Sequence, residues 1–202
     1  MWATCFDCEG VLIPEIWLSI YKETGIDGLQ RTTRDEPNYD RLMTSRLELL
    51  RINGVKIELL KSVADSLDPL EGALETLALA HEMCHRVFLL TDTFEEYASD
   101  LISKLGSFPM LCNSLGISSD GYISTYNIRL LNQKEKAVSA LQNLNFKVLA
   151  VGDSFNDISM LKKADIGILF RPSDSVRALN PEFRVVESHD ELRQIIKDVL
   201  KR

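Results

Sequence analysis

Three polar turns, each directly after a short apolar run, carry the side chains with the clearest potential for chemistry. They are Asp7-Cys8-Glu9-Gly10, Leu90-Thr91-Asp92 and Gly152-Asp153-Ser154-Phe155-Asn156-Asp157. Ligands of an open parallel sheet bind at the carboxyl ends of its strands, so we expect these turns to converge there. Converging carboxylates repel one another unless a cation lies between them, and hard oxygen ligands of this kind suit Mg²⁺. Lys134, at the start of a predicted helix, would add a positive charge to the same cavity.

Each of these motifs is weak evidence when it is taken alone. A single Asp after a strand is usually a turn former or a helix cap. Thr91 would serve equally well as a cap of the helix after it, and Lys134 as a solvated surface charge. The motifs together, in this order along the chain, form a far rarer arrangement than any one of them.

Hydrophobic periodicity predicts the elements that must position these turns. Strands are predicted at 2–6, 86–90, 109–112, 147–151 and 166–169, a hairpin arm at 121–128, and helices at 15–24, 39–52, 57–67, 71–84, 94–105, 133–144, 155–163 and 189–201. Alternating strands and helices predict an α/β fold with a Rossmann-like, doubly wound parallel sheet. The three helices after the first strand predict an inserted helical cap at 14–75 on a core domain at 1–13 and 76–202.

Composition excludes several classes of partner. The chain has 202 residues, with 23 Lys+Arg against 30 Asp+Glu and a net charge of −7. This acid excess argues against a surface for nucleic acid or for an anionic membrane. No apolar run approaches the ~18 residues of a membrane span, and the first residues do not resemble a signal peptide. We therefore expect a cytoplasmic protein with no nucleic-acid and no membrane partner.

The cysteines offer little evidence for a metal or redox site. Cys5 and Cys8 form a CxxC, but there is no second CxxC, and Cys84 beside His85 lacks zinc-site spacing. We interpret Cys5 as a buried small residue and Cys8 as a loop residue.

The ordered set of DxE, Thr, Lys and GDxxND resembles the haloacid dehalogenase superfamily of phosphohydrolases. The cap position resembles its phosphoserine phosphatase branch. Further segments are similar to the bacterial subfamily of bifunctional phosphoserine phosphatase/phosphoserine–homoserine phosphotransferases: Glu9–Trp17, Thr24–Asp27, Thr32–Asp35, Pro69–Gly72 and Ala164–Phe170. The resemblance extends from Trp2 to about Glu191.

The resemblance implies a covalent mechanism. Asp7 would be the nucleophile that forms an aspartyl phosphate, and splitting the displacement in two eases it. Glu9, where the superfamily usually has a second Asp, would protonate the leaving oxygen and later deprotonate the acceptor. The implied cofactor is Mg²⁺, held by the carboxylates of Asp7 and Asp153 and by the backbone carbonyl of Glu9.

The resemblance also implies which residues hold the phosphoryl group. Thr91 and Lys134 would stabilise its charge during transfer. Asp92 and Asn156 would complete the substrate-binding set, and Asp157 would orient Lys134 or a metal-bound water. The spacing to Gly152-Asp153 favours Lys134 as the lysine of this motif, but Lys136 remains an alternative.

The implied substrate is O-phosphoserine, with homoserine as a second acceptor of the phosphoryl group. Glu15 and Arg46, on two cap helices, match the residues that bind the substrate ammonium and carboxylate, and Arg suits a carboxylate because it donates in a fork. Without the resemblance these two residues would be interpreted as ordinary surface charges. The alternative is a phosphatase for another small phosphomonoester of the same superfamily. The resemblance also makes a homodimer plausible.

Overall fold

A seven-stranded sheet in the order β4-β3-β2-β1-β5-β6-β7 forms the centre of the chain. It is seen in a computed structural model that describes residues 1–32, 35–36 and 38–201. The strands are β1 (Trp2–Phe6), β2 (Val87–Phe94), β3 (Met110–Ile117), β4 (Ile123–Asn127), β5 (Lys147–Gly152), β6 (Ile166–Phe170) and β7 (Arg184–Val186). Neighbouring strands are parallel except the antiparallel pair β3–β4. The predicted α/β class with a parallel sheet is confirmed.

Nine α-helices connect these strands in the described part of the chain. They are α1 (Ile16–Thr24), α2 (Tyr39–Ile52), α3 (Ile57–Ser66), α4 (Ala73–Cys84), α5 (Glu95–Ser103), α6 (Gln133–Asn143), α7 (Ile158–Lys163), α8 (Asp174–Leu179) and α9 (His189–Leu200). A 3-10 turn at Phe155–Asp157 precedes α7. None of these helices is both long enough and apolar enough to cross a membrane.

Both faces of the sheet are buried under helices, as a doubly wound sheet requires. Successive strand residues point to opposite faces. Phe6 and Leu149 therefore belong to one apolar cluster, which α4, α5 and α9 cover, whereas Cys5 and Ala150 belong to a second cluster covered by α6, α7 and α8. This packing holds the carboxyl ends of β1, β2 and β5 in fixed positions.

The helices α1, α2 and α3 form the insertion between β1 and α4. Helix α3 packs on α1 and α5, and α2 packs on β4, so the insertion rests on one end of the sheet. The division into a cap at 14–75 and a core at 1–13 and 76–202 remains a prediction. Because α4 begins at Ala73, the later boundary would cut through the first turn of that helix.

Four features differ from the predicted elements. The prediction that β2 ends before Thr91 is wrong, because the strand continues to Phe94 after a shift in its pairing with β3. Strand β3 is longer than predicted because it pairs with β4. Helix α8 and strand β7 were not predicted, because they are only six and three residues long and too short for a periodic signal.

The first two cysteines are structural residues. Cys5 and Cys8 are both fully buried, and all four cysteines are free thiols. Cys8 follows β1 in a tight turn in which its carbonyl accepts hydrogen bonds from the amides of residues 11–13. The interpretation of Cys5 as a buried small residue and of Cys8 as a loop residue is therefore confirmed, and Cys8 also belongs to the core.

Candidate active site

The polar turns after β1 and β5 meet at the carboxyl edge of the sheet. These strands are adjacent and in register, with Phe6 opposite Val151, so the residues that follow them lie side by side. One ligand oxygen from each of Asp7, Asp153 and Asp157 lies within 4.8 Å of the others. All three residues are buried. The predicted convergence of strand-end carboxylates is thus present in the structure.

Lys134 projects into this carboxylate group from the first turn of α6. Its Nζ lies 2.8 Å from Asp7 Oδ1 and 2.7 Å from Asp157 Oδ1. Although burial acts to lower the pKa of Lys134, the charges of Asp157, Asp7 and Asp92 raise it well above its ordinary value. The geometry favours Lys134 over Lys136, since Lys136 is exposed on the opposite side of the same helix turn.

Asp157 connects Lys134 to the backbone of the turn after β5. Its Oδ1 accepts the hydrogen bond from Lys134, and its Oδ2 accepts hydrogen bonds from the backbone amides of Asp153 and Ser154 at 3.0 and 3.2 Å. Both carboxylate oxygens are therefore engaged. This arrangement fits the predicted orienting role toward Lys134, and it leaves Asp7 and Asp153 as the better-placed ligands for a cation.

The electrostatics around Asp7 and Asp153 suit a bound cation. Burial and the charge of Asp157 raise the pKa of Asp153 to about 7. The same two causes, in the same order, raise the pKa of Asp7. A divalent cation would offset the cost of keeping these buried carboxyl groups charged. Hard carboxylate oxygens are also the ligands that Mg²⁺ prefers. Gly10, at φ +80°, keeps the space open, because a Cβ there would lie 2.5 Å from Asp153 Oδ2.

Glu9 is held next to Asp7 by the start of the cap. Its Oε2 accepts a hydrogen bond of 2.9 Å from the backbone amide of Ile16 at the beginning of α1. Burial raises the pKa of Glu9, and the hydrogen bond from Ile16 only partly opposes this shift. A raised pKa favours the protonated form of the carboxyl group, which is the form that a general acid needs.

The turn after β5 is connected to β2 through Asp92. Asn156 Nδ2 donates to Asp92 Oδ2 at 3.1 Å, and Lys134 Nζ lies 3.7 Å from the same oxygen. Burial acts to raise the pKa of Asp92, but the charge of Lys134 and several hydrogen bonds hold it below its usual value. Thr91 Oγ1 accepts from the amide of Thr93 at 3.2 Å.

A cavity of about 370 Å³ opens from these residues toward the cap. Glu15 and Arg46 both line it. The prediction that Glu15 lies on a helix is wrong, because Glu15 is the residue that precedes α1. The Arg46 guanidinium lies 4.3 Å from the centre of the Trp17 ring and donates to the Arg31 carbonyl at 2.7 Å. Its Nε is buried and has no hydrogen-bond partner among the described residues. Thr33 and Arg34, in one of the segments that carried the resemblance, lie outside the described residues.

A family model places this site among known enzymes. The model of the haloacid dehalogenase-like hydrolases matches residues 3–165, which include every predicted site residue. The chain belongs to this family. The resemblance stated from the sequence is confirmed, and the protein is a hydrolase of the haloacid dehalogenase type.

Relatives of this hydrolase share most of its length. It is 40% identical over 190 residues to a phosphoserine phosphatase of Pseudomonas syringae pv. tomato, covering 94% of this chain and 80% of the relative. It is equally similar to the phosphoserine phosphatase ThrH of Pseudomonas aeruginosa, of which 92% is covered. A solved substrate-bound phosphoserine phosphatase has the same fold, with a TM-score of 0.79 at 24% identity over 98% of each chain.

Some residues of this hydrolase's cavity were not singled out in the sequence. Trp17 and Tyr39 line the cavity from the cap, and Arg171 lines it from the end of β6. Gln133 lies outside this cavity, next to Lys134, and its Nε2 donates to Asp92 Oδ1. Its position beside Lys134 is the one sequence signal for Gln133. The aromatic residues gave no signal, because aromatic residues on helices usually indicate core packing.

Proposed function

We propose that this hydrolase removes phosphate from O-phosphoserine through an aspartyl phosphate on Asp7, with Mg²⁺ as cofactor. The observation that carries the proposal is one cavity with two chemically different sides. Asp7, Lys134 and Asp153 line it from the sheet side, and Glu15 and Arg46 line it from the cap. A zwitterionic phosphomonoester needs both sides at once. The names of the two Pseudomonas relatives support the same substrate.

Asp7 begins the proposed reaction by attacking phosphorus with its carboxylate oxygen. The contact with Lys134 orients this carboxylate, and Lys134 and the Thr91 hydroxyl donate to the phosphoryl oxygens as charge develops on them. Glu9, whose pKa burial raises, gives its proton to the leaving serine oxygen. In the second half of the reaction Glu9 takes a proton from water, which attacks phosphorus and frees Asp7.

The carboxylates of Asp7 and Asp153 would hold Mg²⁺ beside the phosphoryl group, and the predicted third ligand is the Glu9 carbonyl. The cation would supply Lewis-acid stabilisation of the phosphoryl oxygens. Asp157 keeps Lys134 in place and leaves the two other carboxylates to the cation.

Arg46 is the proposed partner of the substrate carboxylate. It is 6% exposed, and the Trp17 ring and the Arg31 carbonyl hold its guanidinium in place. Arg46 also lines the cavity, so its guanidinium can meet a ligand carboxylate there. Glu15, on the same side of the cavity, would accept a hydrogen bond from the substrate ammonium.

A panel of phosphomonoesters tests the substrate. We expect kcat/KM to be highest for O-phosphoserine and to fall by roughly one to two decades for analogues that lack the ammonium or the carboxylate, since each charged contact is worth about 1.5–3 kcal/mol. Suitable analogues are phosphoethanolamine and phosphoglycolate, and released phosphate is the measurement. A clear preference for any other phosphomonoester would favour the alternative substrate class.

Replacement of Arg46 tests the carboxylate contact directly. We expect Arg46→Ala to raise KM for phosphoserine by roughly one to two decades and to change KM for an aryl phosphate far less, because only phosphoserine loses a charge-assisted hydrogen bond. Arg46→Lys should recover part of the loss. Arg41→Ala, at an exposed position of the same helix, is the matched control. Equal effects on both substrates would assign Arg46 to stability alone.

We further propose that homoserine competes with water for the aspartyl phosphate. Homoserine has the same ammonium and carboxylate as serine and a hydroxyl that reaches one methylene further. Glu15 and Arg46 could therefore hold it once serine has left. A bound acceptor has an effective concentration that exceeds its concentration in solution by many decades.

The transfer reaction has a direct spectroscopic test. With phosphoserine and excess homoserine, we expect O-phosphohomoserine to appear in ³¹P NMR spectra at the expense of inorganic phosphate. Propan-1-ol, which has a hydroxyl but neither charged group, should give no phosphorylated product. Exclusive formation of inorganic phosphate at saturating homoserine would reduce the proposal to hydrolysis.

A further inference from the structure

Strand β2 leaves the hydrogen-bonding ladder of the sheet at the point where it enters the active site. Leu90 pairs with Leu111 on β3, and the next pair along is Phe94 with Asn113. Residues 91–93 therefore lie opposite residue 112 alone. Such a bulge disrupts the ladder locally and re-aims side chains. Backbone groups in this segment need other partners, since a buried carbonyl without one is costly.

Gln133 supplies the first of these partners. This residue begins α6 and is 4% exposed. Its Nε2 lies 2.8 Å from the Thr91 carbonyl oxygen and 2.9 Å from Asp92 Oδ1. One neutral amide group thus binds the backbone of Thr91 and the carboxylate of Asp92 at once. Because Lys134 is the next residue, the same helix turn carries both the lysine and the amide.

Asn113 supplies the second partner, from the neighbouring strand. It is 2% exposed, and its Nδ2 donates to the Asp92 carbonyl at 3.0 Å. The carbonyls of two successive bulge residues are thus bound by two side-chain amides. The Tyr39 hydroxyl, from the cap, adds a contact of 3.4 Å to the Asp92 carbonyl.

Arg129 determines which end of each amide faces the bulge. Its backbone amide donates to Asn113 Oδ1 at 3.1 Å, and its Nε donates to Gln133 Oε1 at 3.2 Å. Both amide oxygens are therefore taken by the same residue. The two amide nitrogens are left to face the carbonyls of β2.

We infer that Gln133 and Asn113 are positioning residues, which hold the Thr91–Asp92 bulge at the distance from Lys134 and Asp7 that phosphoryl transfer requires. The inference rests on the proposed phosphoryl-transfer function. Neither Gln133 nor Asn113 is among the residues that line the proposed substrate cavity. Both would therefore act through Thr91 and Asp92.

Neutral amides suit this position because of the charges around it. Asp92 Oδ2 already faces Asn156 and Lys134, and a further cation at its Oδ1 would compete with Lys134 for the phosphoryl group. A further anion would repel both Asp92 and the incoming phosphate. An amide satisfies the carbonyl and the carboxylate without adding charge.

The test replaces each amide by the carboxylate of the same shape. We expect Gln133→Glu and Asn113→Asp to lower kcat by about ten- to a hundredfold, the size that follows from losing a hydrogen bond to a charged or reacting group. KM should change less than kcat, because the substrate ammonium and carboxylate are bound elsewhere. Circular dichroism and thermal unfolding would establish that each variant is folded.

A pH profile separates positioning from general support of the fold. A protonated carboxyl group can donate a hydrogen bond, whereas a carboxylate cannot. The kcat of Gln133→Glu relative to wild type should therefore rise as the pH falls and the introduced group becomes protonated. A merely structural loss would leave this ratio flat.

Gln142 offers a matched control on the same helix. Its Nε2 donates to the Lys163 carbonyl and to Asp165 at 2.9 and 3.0 Å, outside the cavity. Gln142→Glu should keep kcat within about twofold of wild type, since surface changes outside a site have small effects. Folded Gln133→Glu and Asn113→Asp proteins with kcat values like that of Gln142→Glu would overturn the inference. If Gln133→Glu does not fold, Asn113→Asp decides the question alone.

The same measurements distinguish failure of the inference from failure of the proposed function. An aryl phosphate and phosphoserine are assayed in parallel, with the wild-type protein as reference. Absence of wild-type turnover on both would reject the phosphoryl-transfer function. Normal wild-type turnover with unaffected amide variants would reject only the positioning role.

Discussion

Asp7→Asn should give a folded protein whose turnover falls by about four decades or more, the scale seen when a nucleophile is removed from a covalent enzyme. The amide has nearly the same shape as the carboxylate but is a much poorer nucleophile. Lys134 keeps its 2.7 Å contact with Asp157, so the cluster retains a paired lysine. Replacement also removes one of three mutually repelling acids. Folding should therefore survive the change.

Single-turnover phosphate release and mass spectrometry of the trapped enzyme measure this effect. Wild-type protein quenched in acid should carry one phosphoryl group on the peptide that contains Asp7, and Asp7→Asn should carry none. Asp27→Asn, which changes an exposed carboxylate outside the cavity, is the control and should behave as wild type. Turnover by Asp7→Asn at more than a small fraction of the wild-type rate would refute the covalent mechanism.

Removal of divalent cations should abolish turnover, with a loss of about three decades or more, because a Lewis acid at a phosphoryl group is worth several kcal/mol. Three buried carboxylates with ligand oxygens within 4.8 Å of one another need more positive charge than Lys134 alone provides. Mg²⁺ added after EDTA treatment and dialysis should restore activity. Full activity in metal-free buffer would contradict the proposed cofactor.

Thermal unfolding gives a readout of the cation that does not depend on catalysis. A ligand that binds only the native state stabilises it by RT ln(1 + [L]/Kd), so Tm rises as the ligand concentration increases. We expect Mg²⁺ to raise the Tm of the wild-type protein and of Asp27→Asn. Asp153→Asn, which lacks a proposed ligand, should need far more Mg²⁺ for the same increase. The same Mg²⁺ response in Asp153→Asn and wild type would remove Asp153 from the ligand set.

Folding and catalysis place opposite demands on the carboxylates of Asp7, Asp153 and Asp157. Burial raises the pKa of Asp153 and of Asp7, so the charged forms that bind a cation are costly when no cation compensates them. Asp157 adds to that cost through its charge, yet it also holds Lys134 in position. The site therefore gains its order from Lys134 and the backbone amides of the turn after β5, and a bound cation would offset the remaining repulsion.

The sequence by itself determined the fold class and the polar turns that meet at the carboxyl edge of the sheet. Strand periodicity identified β1, β5 and β6 within one residue of their bounds, because buried parallel strands form short apolar runs that end at polar turns. The convergence of Asp7, Asp153 and Asp157 followed from the same rule, since parallel strands present their carboxyl ends at one edge.

Only the tertiary structure decided which side chains complete the cluster. Lys134 and Lys136 have the same chemistry two residues apart, and the direction of α6 buries one and exposes the other. The bulge in β2 and the amides of Gln133 and Asn113 have no local signal, because they arise from the pairing of β2 with β3. Hydrogen bonds between residues distant in sequence depend on how the elements pack, and periodicity within one element does not contain that information.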